Sequence, residues 1–236
     1  MNRLAMMVIK NAFRIPFLYG KLCKYAKAPE NYTEEEMFLH IQHILQLASK
    51  AGNVTVEVHG RENIPAESGF VMYSNHQGMF DVVCTVADFP KPMSAVFKIE
   101  LKDLPLIREI AACLKGLPMD RDDVRQSLEV IRTVTKEIQA GRNYLIYPEG
   151  TRSKNGNVMG EFHHGSFRCA ITAKCPVLPI CVIDTHKVLD QKGSKPISVQ
   201  LHYLKPIMPE EYKGMKTNQL AELVQSRIQE CIDANT

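Results

Sequence analysis

The chain has 236 residues, 45% of them hydrophobic and 23% charged, with a formal net charge of +3. This composition excludes a disordered or low-complexity chain and suits one globular domain, or one domain with an appendage. The seven cysteines are odd in number and form no CxxC pair, which argues for buried thiols in a reducing compartment and against a disulfide framework. No HExxH pattern is present, and no metal site is expected.

The first segment is basic and apolar. Residues 1–29 hold Arg3, Lys10, Arg14, Lys21, Lys24 and Lys27 and no acid, which leaves the rest of the chain net negative. Such asymmetry points to a polyanionic surface. On a helical wheel Arg3, Lys10, Arg14 and Lys21 fall in a stripe about 40° wide, and most of the remaining positions are apolar. Pro16 is expected to kink or break this helix. No run reaches the roughly 18 uncharged apolar residues of a spanning helix, and Lys10 and Arg14 interrupt any signal-peptide core. The segment therefore reads as an amphipathic helix lying in an anionic membrane interface. The competing reading is a helix packed on the protein's own core, basic side chains outward. A nucleic-acid arm would not need so much aliphatic surface, so no nucleic-acid partner is expected. The implied placement is peripheral or monotopic, at the cytoplasmic face of the cell membrane.

Thr33-Glu34-Glu35-Glu36 opens the next helix as a capping box, and Gly52 is its C-cap. Residues 1–52 are thus expected to form an N-terminal helical membrane-interface segment, and 53–236 an α/β domain. Val54, Val56 and Val58 alternate as in a strand, and a turn follows at 62–65. The run from Gly69 to Ser74 reads as a buried strand. It leads into Asn75-His76-Gln77-Gly78-Met79-Phe80-Asp81, with a helix continuing to about Asp88.

His76 and Asp81 are the first candidates for chemistry. A histidine is readily poised as a general base near neutral pH, and a carboxylate on its other ring nitrogen fixes the tautomer. Five residues apart on one helix, the two would lie about 140° apart around the axis. They can meet if His76 sits in the turn and Asp81 in the first helical turn, and Gly78 is expected to ease so sharp a turn.

A short strand is expected at Val96 to Ile99, carrying Lys98 near its end, and a turn at Gly116-Leu117-Pro118 leading to Asp120-Arg121. Helical spacing returns over 124–138 and stops at Gly141. Tyr144 to Tyr147 is another short strand, followed by Pro148-Glu149-Gly150-Thr151-Arg152-Ser153. Loops at strand carboxyl ends bind ligands in α/β sheets, and Arg152 supplies a guanidinium fork suited to phosphate. Ser166 to Ala173 is expected to be helical. Strands at 177–183 and 197–203 and an amphipathic C-terminal helix complete the chain. The fold expected is α/β, a mixed, partly parallel sheet flanked by helices.

These residues, in this order, resemble the glycerolipid acyltransferases, in particular the PlsC-type 1-acylglycerol-3-phosphate acyltransferases. The resemblance runs from about Gly60 to Pro206 and rests on the 75–81 and 147–153 motifs, Lys98, Asp120-Arg121 and Val177-Leu178-Pro179-Ile180. It implies transfer of an acyl chain from a thioester, acyl-CoA or acyl carrier protein, to the sn-2 hydroxyl of lysophosphatidate, with no other cofactor. By position it makes His76 the general base and Asp81 its partner. It assigns Glu149, Gly150, Thr151 and Arg152, with Arg121 and Lys98, to the acceptor phosphate. Tyr147 departs from the phenylalanine usual there, and His163-His164 stand where basic residues are frequent.

The residues agree with direct attack by the acceptor hydroxyl: no GxSxG elbow is present and no cysteine lies in either motif. Backbone N–H groups around Gly78 are candidate oxyanion donors. Rival readings are an acyltransferase acting on glycerol-3-phosphate or another lysophospholipid, a lipid hydrolase, and a catalytically silent membrane-binding module.

Overall fold

A run of short, wholly apolar strands needs cover on both faces, and the chain supplies it with helices. In a computed structural model, which describes residues 2–191 and 193–236, seven strands form one sheet. They are β1 Val54–His59, β2 Val71–Ser74, β3 Ser94–Lys98, β4 Leu117–Met119, β5 Tyr144–Ile146, β6 Val177–Ile183 and β7 Ile197–Tyr203, in the order β1-β7-β6-β2-β5-β3-β4. Strands β2 to β6 run parallel to one another, β7 is antiparallel to β6, and β1 is parallel to β7. The mixed, mostly parallel sheet matches the fold expected from the sequence.

The pleat sorts side chains into two cores. Phe70, Met72, Leu178, Ile180 and Val182 pack with α2 (Ile15–Lys27), α3 (Glu34–Ala51) and α4 (Phe80–Asp88). Val71, Tyr73, Val177, Cys181 and Ile183 pack with α6 (Val124–Gln139), α7 (Arg168–Ala173) and α9 (Thr217–Asn235) on the other face. Strands β2 and β6 are buried at every position, which explains why they read as unbroken apolar runs.

Local signals hold where they rest on backbone chemistry. Thr33 caps α3 by accepting the Glu36 N–H at 3.1 Å, and three acidic residues in its first turn suit the helix dipole. Gly141 takes φ 94° just past α6, as a helix stop requires. Gly52 caps α3 with φ −75°, and the left-handed residue there is Asn53 at φ 53°. Gly116-Leu117-Pro118, expected as a turn, instead leads into β4 at the sheet edge. Proline is tolerated there because an edge strand has one side without a ladder. Helices α5 (Ile107–Cys113) and α8 (His186–Leu189) are too short to carry a readable period.

The N-terminal segment breaks as expected and needs one correction. The helix breaks before Pro16: α1 spans Arg3–Lys10, and Pro16 sits in the first turn of α2, where its missing N–H costs nothing. Arg3 does not share a solvent-facing stripe with Lys10, Arg14 and Lys21. It is buried, and its guanidinium donates to the carbonyls of Gly52, Val188 and Lys195, tying α1 to the domain. Lys10, Arg14 and Lys21 stay exposed. Between them Phe13 and Phe17 are 95% and 80% exposed, with Leu4, Val8 and Ile9 also outward. Among the described residues no helix is long and apolar enough to cross a membrane.

Candidate active site

The parallel strands β2 to β6 place five carboxyl ends on one side of the sheet, and the candidate residues follow those ends. The β2–β6 ladder stops at Ser74 opposite Ile180. Asn75 extends it with its side chain: its amide donates to Val182 O at 2.9 Å and accepts the Val182 N–H at 2.8 Å. Pinned there, the chain turns through His76 into α4, whose second residue is Asp81.

Asp81 is fully buried. Its Oδ2 accepts His76 Nδ1–H at 2.6 Å and the N–H groups of Gln77 and Gly78 at 2.6 and 3.0 Å. Its Oδ1 accepts the Thr185 hydroxyl. With Oδ2 also serving two main-chain donors, the hydrogen-bond network assigns the proton to His76 Nδ1 and leaves Nε2 as the basic nitrogen. The His76 side chain retains 17% exposure.

The loop after β5 builds the frame around this histidine. Tyr147 stacks on the imidazole with centroids 4.3 Å apart and planes at 27°. The Glu149 carboxylate accepts the His76 N–H and the Gly160 N–H, both at 2.7 Å. Ser153 N–H donates to His76 O at 2.8 Å. Both backbone polar groups of His76 are thus held by the second motif. Burial raises the Glu149 carboxyl above its ordinary value, and the two N–H donors oppose that rise. Gly150 adopts φ 70°, and a Cβ there would come within 3.1 Å of the His163 ring and 3.6 Å of Arg121 Cδ.

The cationic residues divide into two groups. Arg121, just past β4, reaches the Gly150 turn. Burial lowers its pKa, and Glu100 acts in the opposite direction. Lys98, at the end of β3, pairs with that same Glu100 at 2.5 Å. Arg152 and Thr151 instead line a cavity of about 470 Å³ with Gln77, His186 and Asp190. Arg152 lies 3.4 Å from Asp190 across it, with its side chain 48% exposed.

Two local expectations are corrected. Gly78 is absent from the positive-φ glycines; smallness is what the position needs, since a Cβ would meet an Asp190 carboxylate oxygen at 2.8 Å and His186 Cα at 3.1 Å. The Gln77 and Gly78 N–H groups are taken by Asp81 and that of His76 by Glu149, so these three are not available to an oxyanion. Asn75 and Gln77 stood inside the first motif without an assigned task. Gln77 turns out to bind Asn157 and Val182 O through its amide nitrogen. Thr185 gave no signal, because it lies 104 residues from Asp81 and only the sheet brings them together.

The chain is thus a mostly parallel α/β domain that carries a His–Asp pair, its carboxylate buried, at the carboxyl end of a central strand. The family model described as Acyltransferase matches residues 55–183, more than half of the chain, and the chain belongs to that family. Among similar proteins, a probable 1-acyl-sn-glycerol-3-phosphate acyltransferase of Mycoplasma pneumoniae is 25% identical over 228 residues, covering 89% of this chain and 85% of that one. A chloroplastic 1-acyl-sn-glycerol-3-phosphate acyltransferase of Arabidopsis thaliana is 28% identical over 183 residues. That match covers 75% of this chain and 49% of the plant protein, so this chain spans about half the plant protein's length. The crystal structure of the 1-acyl-sn-glycerophosphate acyltransferase PlsC from Thermotoga maritima superposes with a TM-score of 0.76 at 20% identity, over 99% of this chain and 97% of that one. It supports the fold.

Proposed function

We propose that the protein transfers an acyl chain from a thioester donor to the sn-2 hydroxyl of 1-acylglycerol-3-phosphate, giving phosphatidic acid. The observation that carries the mechanism is the 2.6 Å contact between His76 Nδ1 and a buried Asp81 carboxylate, which leaves Nε2 unprotonated and partly open. Nε2 takes the proton of the acceptor hydroxyl as its oxygen attacks the thioester carbonyl. The tetrahedral adduct collapses, the C–S bond breaks, and the thiolate leaves with the proton from His76. General-base assistance of this kind is worth about 10²–10⁴-fold. A thiolate leaves readily, so neither an acyl-enzyme nor a metal or other cofactor is needed, and acyl-CoA or acyl carrier protein serves as co-substrate.

Arg152, Arg121 and Lys98 supply the positive charge for the acceptor phosphate, and so hold its hydroxyl near His76. Thr151 adds a hydroxyl donor, and Gly150 admits Arg121 to the turn. Glu149 acts differently: its carboxylate is engaged by two N–H groups and holds His76 in place. The protein works at an anionic membrane as a peripheral or monotopic protein, on the cytoplasmic face. Phe13 and Phe17 enter the interface while Lys10, Arg14 and Lys21 meet lipid phosphates.

The test is an acceptor panel of lysophosphatidate, glycerol-3-phosphate and zwitterionic lysolipids, with purified protein and one labelled donor. Lysophosphatidate should be the preferred acceptor, and Arg152→Ala should raise its KM about tenfold or more while affecting a zwitterionic acceptor less, as loss of a charge-assisted contact requires. Preference for glycerol-3-phosphate would replace the assigned acceptor. Donor loss independent of any acceptor would identify a hydrolase.

A further inference from the structure

The chain leaves β6 by an unusual turn. The strand ends at Ile183, and Asp184 takes φ 66°, a left-handed conformation uncommon for a residue with a side chain, though aspartate tolerates it better than most. Such an outlier persists only where the surroundings hold it, and here they do. The Asp184 N–H donates to Asn157 Oδ1 at 3.0 Å, the Asn157 amide donates to Asp184 Oδ1 at 3.0 Å, and Lys187 pairs with Asp184 Oδ2 at 2.6 Å. Asn157 belongs to the loop that follows Ser153, and its Oδ1 also accepts the Gln77 amide at 2.8 Å. Two residues before the turn, the Val182 backbone is gripped by the Asn75 and Gln77 amides. The turn is thus fixed to both motifs, and it directs the next side chain, Thr185, inward against Asp81.

Thr185 is fully buried. Its hydroxyl has one proton and two acceptors in reach, Asp81 Oδ1 and Gln77 Oε1, the latter at 3.2 Å. The carboxylate is nearer and charged, so it takes the proton. Gln77 Oε1 is left to the His186 ring, 3.4 Å away. A carboxylate is a rigid plane, and one anchored oxygen leaves that plane free to swing. The three N–H donors on Oδ2 fix one corner, and the Thr185 hydroxyl on Oδ1 fixes the other. Asp81 is itself fully buried, so bulk water cannot replace that hydroxyl. The geometry matters because a misplacement of about 1 Å at a reacting group can cost about 10²-fold in rate.

We propose that Thr185 is a positioning residue for acyl transfer and acts through Asp81. Its hydroxyl sets the plane of the carboxylate against the His76 ring, and the clamp of Asn157 on Asp184 holds Thr185 in place to do so. This role rests on His76 acting as the general base. As Nε2 takes the acceptor proton, the imidazolium draws its stabilisation from a carboxylate oxygen aligned with Nδ1–H, and a carboxylate swung out of line gives less. Thr185 has no exposed surface to offer either substrate, so its loss acts on turnover rather than on affinity. The clamp also ties the loop after Arg152 to the support of the base, through Asn157 and Gln77.

The test is steady-state transfer to lysophosphatidate by full-length Thr185→Val and Thr185→Ser, each also made in an Asp81→Asn background. Valine keeps the shape and removes the hydroxyl, whereas serine keeps the hydroxyl. Thr185→Val should lower kcat about 10- to 100-fold, the range that one hydrogen bond to a charged group supports, with KM for acceptor and donor nearly unchanged. Thr185→Ser should restore most of that kcat. In the Asp81→Asn background Thr185→Val should cost much less, because the charge through which it acts is already gone. Should valine prevent folding, Asn157→Ala replaces it: this half-buried loop variant frees the turn, and it should lower kcat in the wild-type background and much less beside Asp81→Asn. Wild-type kcat in a folded Thr185→Val, equal losses for valine and serine, or an equal fall with and without Asp81→Asn would overturn the positioning role. So would an Asn157→Ala effect confined to KM. Wild-type kcat in Asp81→Asn itself would overturn the general-base reading together with it, whereas a slow Asp81→Asn beside an unimpaired Thr185→Val overturns the Thr185 role alone.

Discussion

Asp81→Asn separates the two tasks of the buried carboxylate. In the wild type Oδ2 receives three N–H donors and Oδ1 receives the Thr185 hydroxyl. An asparagine settles with its carbonyl oxygen at the Oδ2 position, because an NH2 group there would face three donors. The new amide nitrogen then meets Thr185, whose hydroxyl can rotate to accept. His76 therefore keeps its tautomer, and the fold keeps its bonds. What is lost is a negative charge beside the imidazolium that forms as the acceptor is deprotonated. Unit charges about 4 Å apart interact by about 4 kcal/mol at an effective dielectric of about 20, which corresponds to roughly 10³-fold in rate. The predicted kcat loss is therefore about 10³-fold, with KM for the acceptor nearly unchanged. The assay is transfer of labelled acyl chain to lysophosphatidate at saturating donor, with circular dichroism as the folding control. A loss below tenfold in a folded variant would refute the electrostatic role and leave Asp81 as a turn constraint only.

Three further outcomes test the surroundings. Tyr147→Phe removes a buried hydroxyl that has no hydrogen-bond partner among the described residues, yet keeps the stack on His76. It should gain about 1–3 kcal/mol, the usual mutational cost of an unsatisfied buried hydroxyl, seen as a higher melting temperature; a lower one would show that the hydroxyl is satisfied in solution. Glu34 binds Arg142 through two bonds of 2.8 Å and Lys115 at 2.7 Å. Burial alone would raise its pKa, and these partners outweigh burial and hold it low. A depressed acid favours the folded state above its unfolded pKa and loses that effect as pH falls through the folded value. Glu34→Gln should thus cost up to about 1 kcal/mol at neutral pH, given its partial exposure. The gap should close as pH falls below the ordinary carboxylate range, and equal urea midpoints at pH 7 would contradict the assignment. Changing Phe13 and Phe17 to serine should release the protein from anionic vesicles in flotation, since each buried phenylalanine contributes about 1.5–3 kcal/mol. Retention of the double variant at high salt would place membrane contact elsewhere, because salt screens the remaining lysines.

Much of the site was legible because its signals are local. His76 and Asp81 are five residues apart on a strand–turn–helix, and steric and hydrogen-bond rules restrict how such a segment closes. Period-two and buried runs marked β1, β2, β6 and β7, whose residues answer to a face within their own strand. β4, α5 and α8 were not legible: each spans seven residues or fewer, and what orders them is contact with distant elements. The burial of Arg3 was hidden for the same reason. A helical wheel places it beside Lys10 and Arg14, but its partners are carbonyls at 52, 188 and 195.

The sequence by itself determined the pairing of His76 with Asp81, the basic loop after β5, the alternation of strands and helices, and the excess of positive charge in the first thirty residues. Those properties follow from side-chain chemistry and short-range geometry. The tertiary structure decided that Glu149 and Ser153 clamp the backbone of His76, that Thr185 completes the Asp81 carboxylate, and that Arg121 and Arg152 face different neighbours. It also set Asn157 against Asp184 and Gln77. Each of these depends on which strands lie side by side, and strand order is set by long-range packing of two cores that no local pattern encodes.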